Sequence, residues 1–432
     1  MPTTDGIKPG LPWGRLFVCW LLLVSGLAAA PGGTALAETD EPPSLTAEGA
    51  ILVDADTGQV LYEKQADEPF YPASITKILT AIVAIENGRL DDVVTVSEEA
   101  VRADGTRVYL VAGEQKTLQE LLYAMMVNSG NDAAVAIAEH IAGSVEAFAS
   151  MMNQKAADLG ATNSHFVNPS GLHNEHHYTT ARDMAIIARY AMRNPIFRDI
   201  VGTKTMPWNG DEWQSQLVNH NRLLWQYDGA TGVKNGYTSK AKQTFVATAK
   251  RGETELLAVC LKAPSQAAMY NDLKALLNYG FEAFETIPAV SATDRFYPPE
   301  RTLQVALRTS RNFHVHRPVG RSDEDAPPIT TQVVMDAVEY PIHRGQQVGQ
   351  LTIALGGHPL IQAPLYAEEA VLPPEMANGE QAGSSTPAAS VTFWLLGTLT
   401  VLAGMGMVYI RKTGLRRRRK TWMPLDRRKT IH

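Results

Sequence analysis

Cysteine is almost absent: the 432 residues hold two, Cys19 and Cys260. Cys19 lies in an N-terminal apolar run that reads as cleavable, which leaves Cys260 alone in the processed chain. That excludes an intramolecular disulfide and a cysteine-based zinc site. Cys19 also lacks the small preceding residues of a lipoprotein signal. A basic domain face is missing too. The formal charge is −6, but residues 411–432 carry ten Lys/Arg and one Asp, a net of +9; −6 less +9 leaves about −15 for the rest. Positive charge confined to one short block is not the footprint of a nucleic-acid-binding domain, so no nucleic-acid partner is expected. Nor is a metal site. His173-Asn-Glu-His176-His177 lacks the His-Glu-x-x-His spacing, and its surroundings read as a polar surface loop. No cofactor is expected.

The length allows two or three domains. Residues 1–37 read as a signal peptide: Lys8 and Arg15 precede the apolar run 16–24, and Ala35-Leu36-Ala37 is a small-x-small cleavage pattern. Ile51-Leu52-Val53 and Val60-Leu61-Tyr62 flank Asp56-Thr57-Gly58, a hairpin signal. Apolar periodicity predicts a helix that begins near Ser74 and stops at Gly88. Residues 80–160 read as mostly helical, and 161–178 as loop. Thr180-Ala-Arg-Asp183 is a capping box opening a helix to Met192. Residues 207–232 read as irregular. Strands follow at 244–249 and 255–261, then a helix from Gln266 to Phe284. Strands at both ends with helices between imply an antiparallel sheet covered by helices, an α+β fold, over 45–286.

Short alternating runs at 303–307, 331–335 and 351–355 suggest a small all-β domain at 295–367. Residues 368–387 read as a flexible linker. Residues 388–410 carry no charge and as a helix would span about 35 Å. Basic residues follow directly in the tail 411–432. The positive-inside rule then puts the tail in the cytoplasm and the rest of the processed chain on the outer face of the cytoplasmic membrane, held by a single C-terminal transmembrane helix.

Three separated stretches carry chemistry. Ser74 and Lys77, three apart, share a helix face, where a lysine kept neutral can take a serine proton. In Asn128-Ser129-Gly130-Asn131-Asp132, Ser129 offers a hydroxyl for proton passage and Asn131 an amide for a carbonyl. In Gly232-Val233-Lys234-Asn235-Gly236-Tyr237-Thr238, Lys234 offers a fixed charge for a carboxylate. Gly236 permits a close backbone approach. Taken singly, the second is an ordinary turn and the third an ordinary hairpin strand.

Together, Ser-x-x-Lys, Ser-x-Asn and Lys-x-Gly in that order resemble the penicillin-binding protein and serine β-lactamase superfamily. Asn168-Pro-Ser-Gly-Leu172, Thr179-Thr-Ala-Arg-Asp183 and Asn219-His-Asn-Arg-Leu-Leu224 narrow this to the low-molecular-weight D-alanyl-D-alanine carboxypeptidases of peptidase family S11. Tyr340-Pro-Ile342 and Gly345-Gln-Gln-Val-Gly349 are similar to that family's C-terminal domain, so the likeness covers about 45–370. The resemblance implies a β-lactamase/transpeptidase-like domain. In it Ser74 forms an acyl-enzyme with the penultimate D-Ala of peptidoglycan stem peptides. Lys77 would be the base and Ser129 would relay a proton to the leaving amine. Asn131, Lys234, Asn235, Gly236 and Tyr237 would bind substrate, with the backbone N–H groups of Ser74 and Tyr237 as the oxyanion hole. β-Lactams would acylate the same serine. Asn235 departs from the family's usual threonine. A β-lactamase is the enzymatic alternative, but 161–178 contains no Glu-x-x-Leu-Asn element for deacylation. A non-catalytic wall-binding scaffold is the other, and the intact motifs argue against it.

Overall fold

The computed structural model describes residues 41–298, 305–320 and 327–373. The hairpin forms as the turn residues require: β1 (Gly49–Asp54) pairs antiparallel with β2 (Val60–Lys64), with Gly58 left-handed at φ 83°. A short 3₁₀ turn, Ala73–Thr76, leads into α1 (Lys77–Asn87), so Ser74 sits on the tighter turn and not on the α-helix itself. Ile78, Leu79, Ile82 and Val83 of α1 are fully buried. At roughly 1.5–3 kcal/mol per buried aliphatic side chain, this row anchors the turn that carries Ser74.

A two-stranded ribbon follows, β3 (Val93–Thr95) and β4 (Gln115–Thr117), with the single helical turn α2 (Glu98–Val101) between its strands. Next come α3 (Leu118–Val127), α4 (Asn131–Ala142) and α5 (Val145–Asp158). Thr117 and Glu120 close a reciprocal capping box on α3. After the loop 161–178 come α6 (Ala181–Met192) and α7 (Pro195–Gly202). Thr180 caps α6 by accepting from Asp183 N, but the box is half made. The Asp183 carboxylate turns instead to Asn163 N and Ser164 Oγ, both at 2.7 Å, and so holds the loop.

Residues 205–218 are not irregular. They form a hairpin, β5 (Thr205–Asn209) with β6 (Gln214–Val218), in which Trp208 and Leu217 are the buried positions. With one inward side chain per strand, the sequence has no alternation to show. A helical turn α8 (Leu223–Gln226) leads into β7 (Ala230–Thr238), β8 (Lys242–Arg251), β9 (Thr254–Ala263) and α9 (Gln266–Glu282). The main sheet has the order β2-β1-β9-β8-β7 and is antiparallel throughout. The first and last strands of the domain, β1 and β9, therefore lie side by side within the sheet, and β7 is an edge. One core lies between the sheet and α1–α7; a second packs α9 against the opposite face through Met269, Leu273, Leu276 and Leu277. The α+β expectation is met, with helices on both faces.

The rest of the described chain is β. Strands β10 (Phe284–Val290) and β12 (Phe313–Pro318) pair. Strands β11 (Leu307–Arg308), β15 (His358–Ala367), β14 (Gln347–Leu355) and β13 (Ile329–Met335) form a four-stranded sheet in that order. Two compact units result. Among the described residues, one is built from 41–292, 311–320, 327–332 and 352–363, and the other from 293–298, 305–310, 333–351 and 364–373. Among the described residues no helix is long and apolar enough to cross a membrane. The expected signal peptide (1–37), most of the linker, the 388–410 segment and the 411–432 tail lie outside the described residues.

Candidate active site

The 3₁₀ turn is forced into place from both sides. Ala73, just before Ser74, has φ 52°, a left-handed conformation costly for a residue with a Cβ. Thr244 Oγ1 on β8 donates to Pro72 O at 2.7 Å. Gly171 packs on the other side: a Cβ there would fall 1.8 Å from Ala73 O. Behind the turn, the Thr76 hydroxyl is 2.9 Å from His177 Nε2. His177 Nδ1 accepts from Val167 N at 3.2 Å, so Nε2 carries the hydrogen and donates to Thr76. This histidine is buried, against the expectation of a surface loop. Burial, His165, His173 and Lys77 push its pKa down to about 3. It is a neutral strut under the Ser74 turn. Among the described residues no cluster of His, Cys, Asp and Glu is arranged to hold a metal.

Lys77 is fully buried at the start of α1. Its Nζ is 3.2 Å from Ser74 Oγ, 2.7 Å from Asn131 Oδ1 and 2.7 Å from Ser170 O. Burial, then the Lys234 charge, hold its pKa well below the ordinary lysine value; Asp132 opposes them. A neutral amine has two N–H bonds. The two acceptors without protons, Asn131 Oδ1 and Ser170 O, take both. The lone pair then faces Ser74 Oγ–H, the arrangement a general base needs.

Ser129 sits at the α3–α4 junction with φ 65°, a strained conformation that turns the chain sharply into Asn131. Asn131 is clamped. Its backbone N donates to Thr106 O at 2.7 Å and its Nδ2 to Asp104 O at 2.6 Å. Sequence reasoning missed what holds the 104–110 loop there. Asp132 is fully buried and its carboxylate accepts from the backbone N of Val108, Leu110 and Ala133 at 2.9–3.2 Å. The signal was only an acid in the first turn of a helix, with nothing to say which loop it would bind.

Strand β7 forms the facing wall. A Cβ on Gly236 would lie 2.5 Å from Ser74 N and 2.8 Å from Thr244 Oγ1, so only glycine lets the edge strand lie against the nucleophile turn. Lys234 is buried; its Nζ donates to Asn235 O at 3.0 Å, and burial lowers its pKa to about 7. Asn235 donates through Nδ2 to His220 O at 3.3 Å. Tyr237 is exposed. Ser74, Lys77 and Asn131 are thus joined by direct bonds, with Gly236 against the turn and Lys234 close enough to depress Lys77. His220, quoted in the sequence as part of the Asn219–Leu224 stretch but given no role, is held neutral: burial, Lys234, Lys77 and Arg222 lower its pKa to about 4.

Comparison with known proteins fits this geometry. Residues 36–265 match the peptidase S11 family, D-alanyl-D-alanine carboxypeptidase. The chain belongs to this family. Residues 300–372 match the C-terminal domain of penicillin-binding protein 5. The chain is 34% identical over 369 residues to the D-alanyl-D-alanine carboxypeptidase DacF of Bacillus subtilis, covering 82% of this chain and 94% of that protein. Against DacC of Escherichia coli it is 32% identical, covering 81% and 92%. Among solved structures, Haemophilus influenzae penicillin-binding protein 5 superposes with TM-score 0.63 at 29% identity, over 77% of this chain and 99% of that one. As a family S11 member, the protein is a serine hydrolase with an α+β catalytic domain and a β C-terminal domain.

Proposed function

We propose that this protein removes the terminal D-alanine from peptidoglycan stem pentapeptides, which limits cross-linking, and that β-lactams acylate it at the same serine. The observation that carries the reading is Lys77 Nζ at 3.2 Å from Ser74 Oγ with both of its N–H bonds committed elsewhere. Ser74 Oγ attacks the penultimate D-Ala carbonyl as Lys77 takes its proton. Ser129 passes a proton to the leaving amine, and water then hydrolyses the acyl-enzyme. Asn131 Nδ2 spends one N–H on Asp104 O and keeps the other for a substrate carbonyl. The protonated Lys234 and the Asn235 amide receive the terminal carboxylate. Gly236 brings the Tyr237 N–H beside that of Ser74 as the oxyanion pair, where loss of one donor costs on the order of 10²–10³ in rate.

Purified protein should form a covalent adduct with fluorescent penicillin and release D-Ala from diacetyl-Lys-D-Ala-D-Ala, and Ser74→Ala should abolish both. Rapid turnover of the penicillin would make it a β-lactamase instead. The absence of both adduct and D-Ala would make it a scaffold.

The domain bounds 45–286 and 295–367 and the outward topology belong to the same proposal. The apolar run after Arg15, the uncharged 388–410 segment and the basic block behind it support a cleaved signal and a C-terminal membrane anchor, with the catalytic domain outside the cytoplasm. Protease accessibility of the catalytic domain in spheroplasts, with the tail protected, tests that topology.

A further inference from the structure

The carboxypeptidase reading gives the substrate a direction along β7. The terminal carboxylate lies at Lys234 and Asn235 and the reacting carbonyl at the Tyr237 N–H, so the rest of the stem peptide leaves toward the β7–β8 turn. A cleft of about 590 Å³ opens on that side. Its walls include Tyr71, three residues before Ser74, and Lys240, three residues past Tyr237. Three steps of chain put each of those Cα atoms at most about 11 Å from the Cα of Ser74 or of Tyr237. The walls are held in place. Phe70 N donates to Thr179 O at 2.7 Å and Thr179 N to Phe70 O at 2.9 Å, which ties the segment before Ser74 to the end of the 161–178 loop. The Phe70 ring rests on Gly49, where a Cβ would fall 2.5 Å from Cε2. The Tyr71 ring meets His173 edge-on, with centroids 4.6 Å apart. Ala241 N donates to Thr238 Oγ1 at 3.0 Å and closes the turn that carries Lys240.

The charges in the lining are the informative part. Lys262 is taken up by Glu48 at 2.8 Å. Glu175 and Lys240 line the same cleft and are exposed. Among the described residues neither makes an ion pair, with the other or with anything else. An apolar wall of Phe70, Tyr71 and Tyr178 beside one unpaired anion and one unpaired cation is complementary to a zwitterion carried on an aliphatic stem.

We infer that this cleft selects stem peptides whose third residue is a diamino dicarboxylic acid with both groups of its distal end free. The methylenes lie against the aromatic wall, the distal ammonium meets Glu175 and the distal carboxylate meets Lys240. The inference rests on the carboxypeptidase reading and specifies the substrate of the same site. The third residue directly precedes the D-Ala that Ser74 attacks, so its side chain starts one residue from the reacting carbonyl and extends into the cleft. A third residue whose distal carboxylate is amidated, or whose distal amine is missing, keeps only half of this recognition.

The test measures D-Ala release by the full-length protein from three pentapeptides that differ only at the third residue. One carries meso-diaminopimelate, one its distal carboxamide, and one 2-aminopimelate, which keeps the distal carboxylate but lacks the distal amine. The first should show a kcat/KM about threefold above each of the others, the scale of a solvent-exposed ion pair. Lys240→Gln should abolish the preference over the carboxamide and keep the preference over 2-aminopimelate. Glu175→Gln should do the reverse. A merely structural role for either residue would lower all three rates together. Equal kcat/KM on the three peptides, or variants that shift all three alike, overturns the inference and leaves the carboxypeptidase reading intact. Failure to release D-Ala from any of the three overturns both readings.

Discussion

Lys77 Nζ and Asn131 Oδ1 lie 2.7 Å apart, although 54 positions separate the two residues in the chain. That bond, with the one to Ser170 O, uses the hydrogens of a neutral amine and aims its lone pair at Ser74. Lys234 stands behind as a second buried amine. Lys77 feels both burial and the Lys234 charge, with Asp132 opposing them, whereas burial alone depresses Lys234.

A bell-shaped pH profile follows. The rate rises with pH as Lys77 loses its proton. In the free enzyme kcat/KM then falls above about pH 7, where Lys234 loses the charge that binds carboxylate. A bound carboxylate favours charged Lys234, so the alkaline limb of kcat should lie at higher pH than that of kcat/KM. Profiles of both parameters check this; a kcat/KM that climbs steadily to pH ~10 contradicts it.

Lys234 also sets a stability trend. Its folded pKa lies below its unfolded value, so between about 7 and the ordinary lysine value of about 10.4 the unfolded chain binds a proton that the folded chain lacks. Stability from this group therefore rises with pH across that window, and the penalty of burying it is fully present below it. Lys234→Met should be inactive, with a Tm several degrees above the parent at about pH 6 and a vanishing difference near pH 10. A melting curve unchanged at both pH values counts against the burial argument.

Gly236→Ala places a methyl 2.5 Å from a backbone nitrogen that cannot swing aside as a side-chain tip could. Strand β7 must move off the Ser74 turn. A displacement near 1 Å in a reacting geometry costs on the order of 10²-fold, so kcat/KM and the penicillin acylation rate should both drop by about that factor. Near-normal acylation would show that the close approach is dispensable.

Asp132→Asn keeps the shape of the side chain but gives it an NH₂ that faces backbone donors. Leaving buried donors unpaired costs roughly 1–3 kcal/mol each, and the 104–110 loop that clamps Asn131 should loosen. Asp132 also opposes the depression of the Lys77 pKa, so losing its charge should move the acidic limb of the rate profile to lower pH. A purely structural role would lower Tm and leave that limb in place. Asp132→Glu, which retains the charge, should restore the limb better than Asn.

The main elements were legible because their signals are local. Gly58 at the β1–β2 turn, the buried row of α1 and the stripe of α9 each lie within one element's own period. The β5–β6 hairpin was not, since tertiary contact buries only Trp208 and Leu217 and leaves no alternation. His177 looked like a surface residue because nothing nearby in sequence reveals that Thr76 and Val167 will enclose it.

The sequence by itself determined the spacing of Ser74 and Lys77 and the presence of a glycine two residues after Lys234. One turn of backbone and one extended strand suffice to make those relations meaningful. Only the tertiary structure decided the surroundings of Lys77. Its depressed pKa comes from complete burial and from a second lysine 157 positions on, and its hydrogen-bond partners are acceptors on Asn131 and Ser170. A pKa is set by the three-dimensional dielectric and charge around a group, and neither is written in its neighbours along the chain.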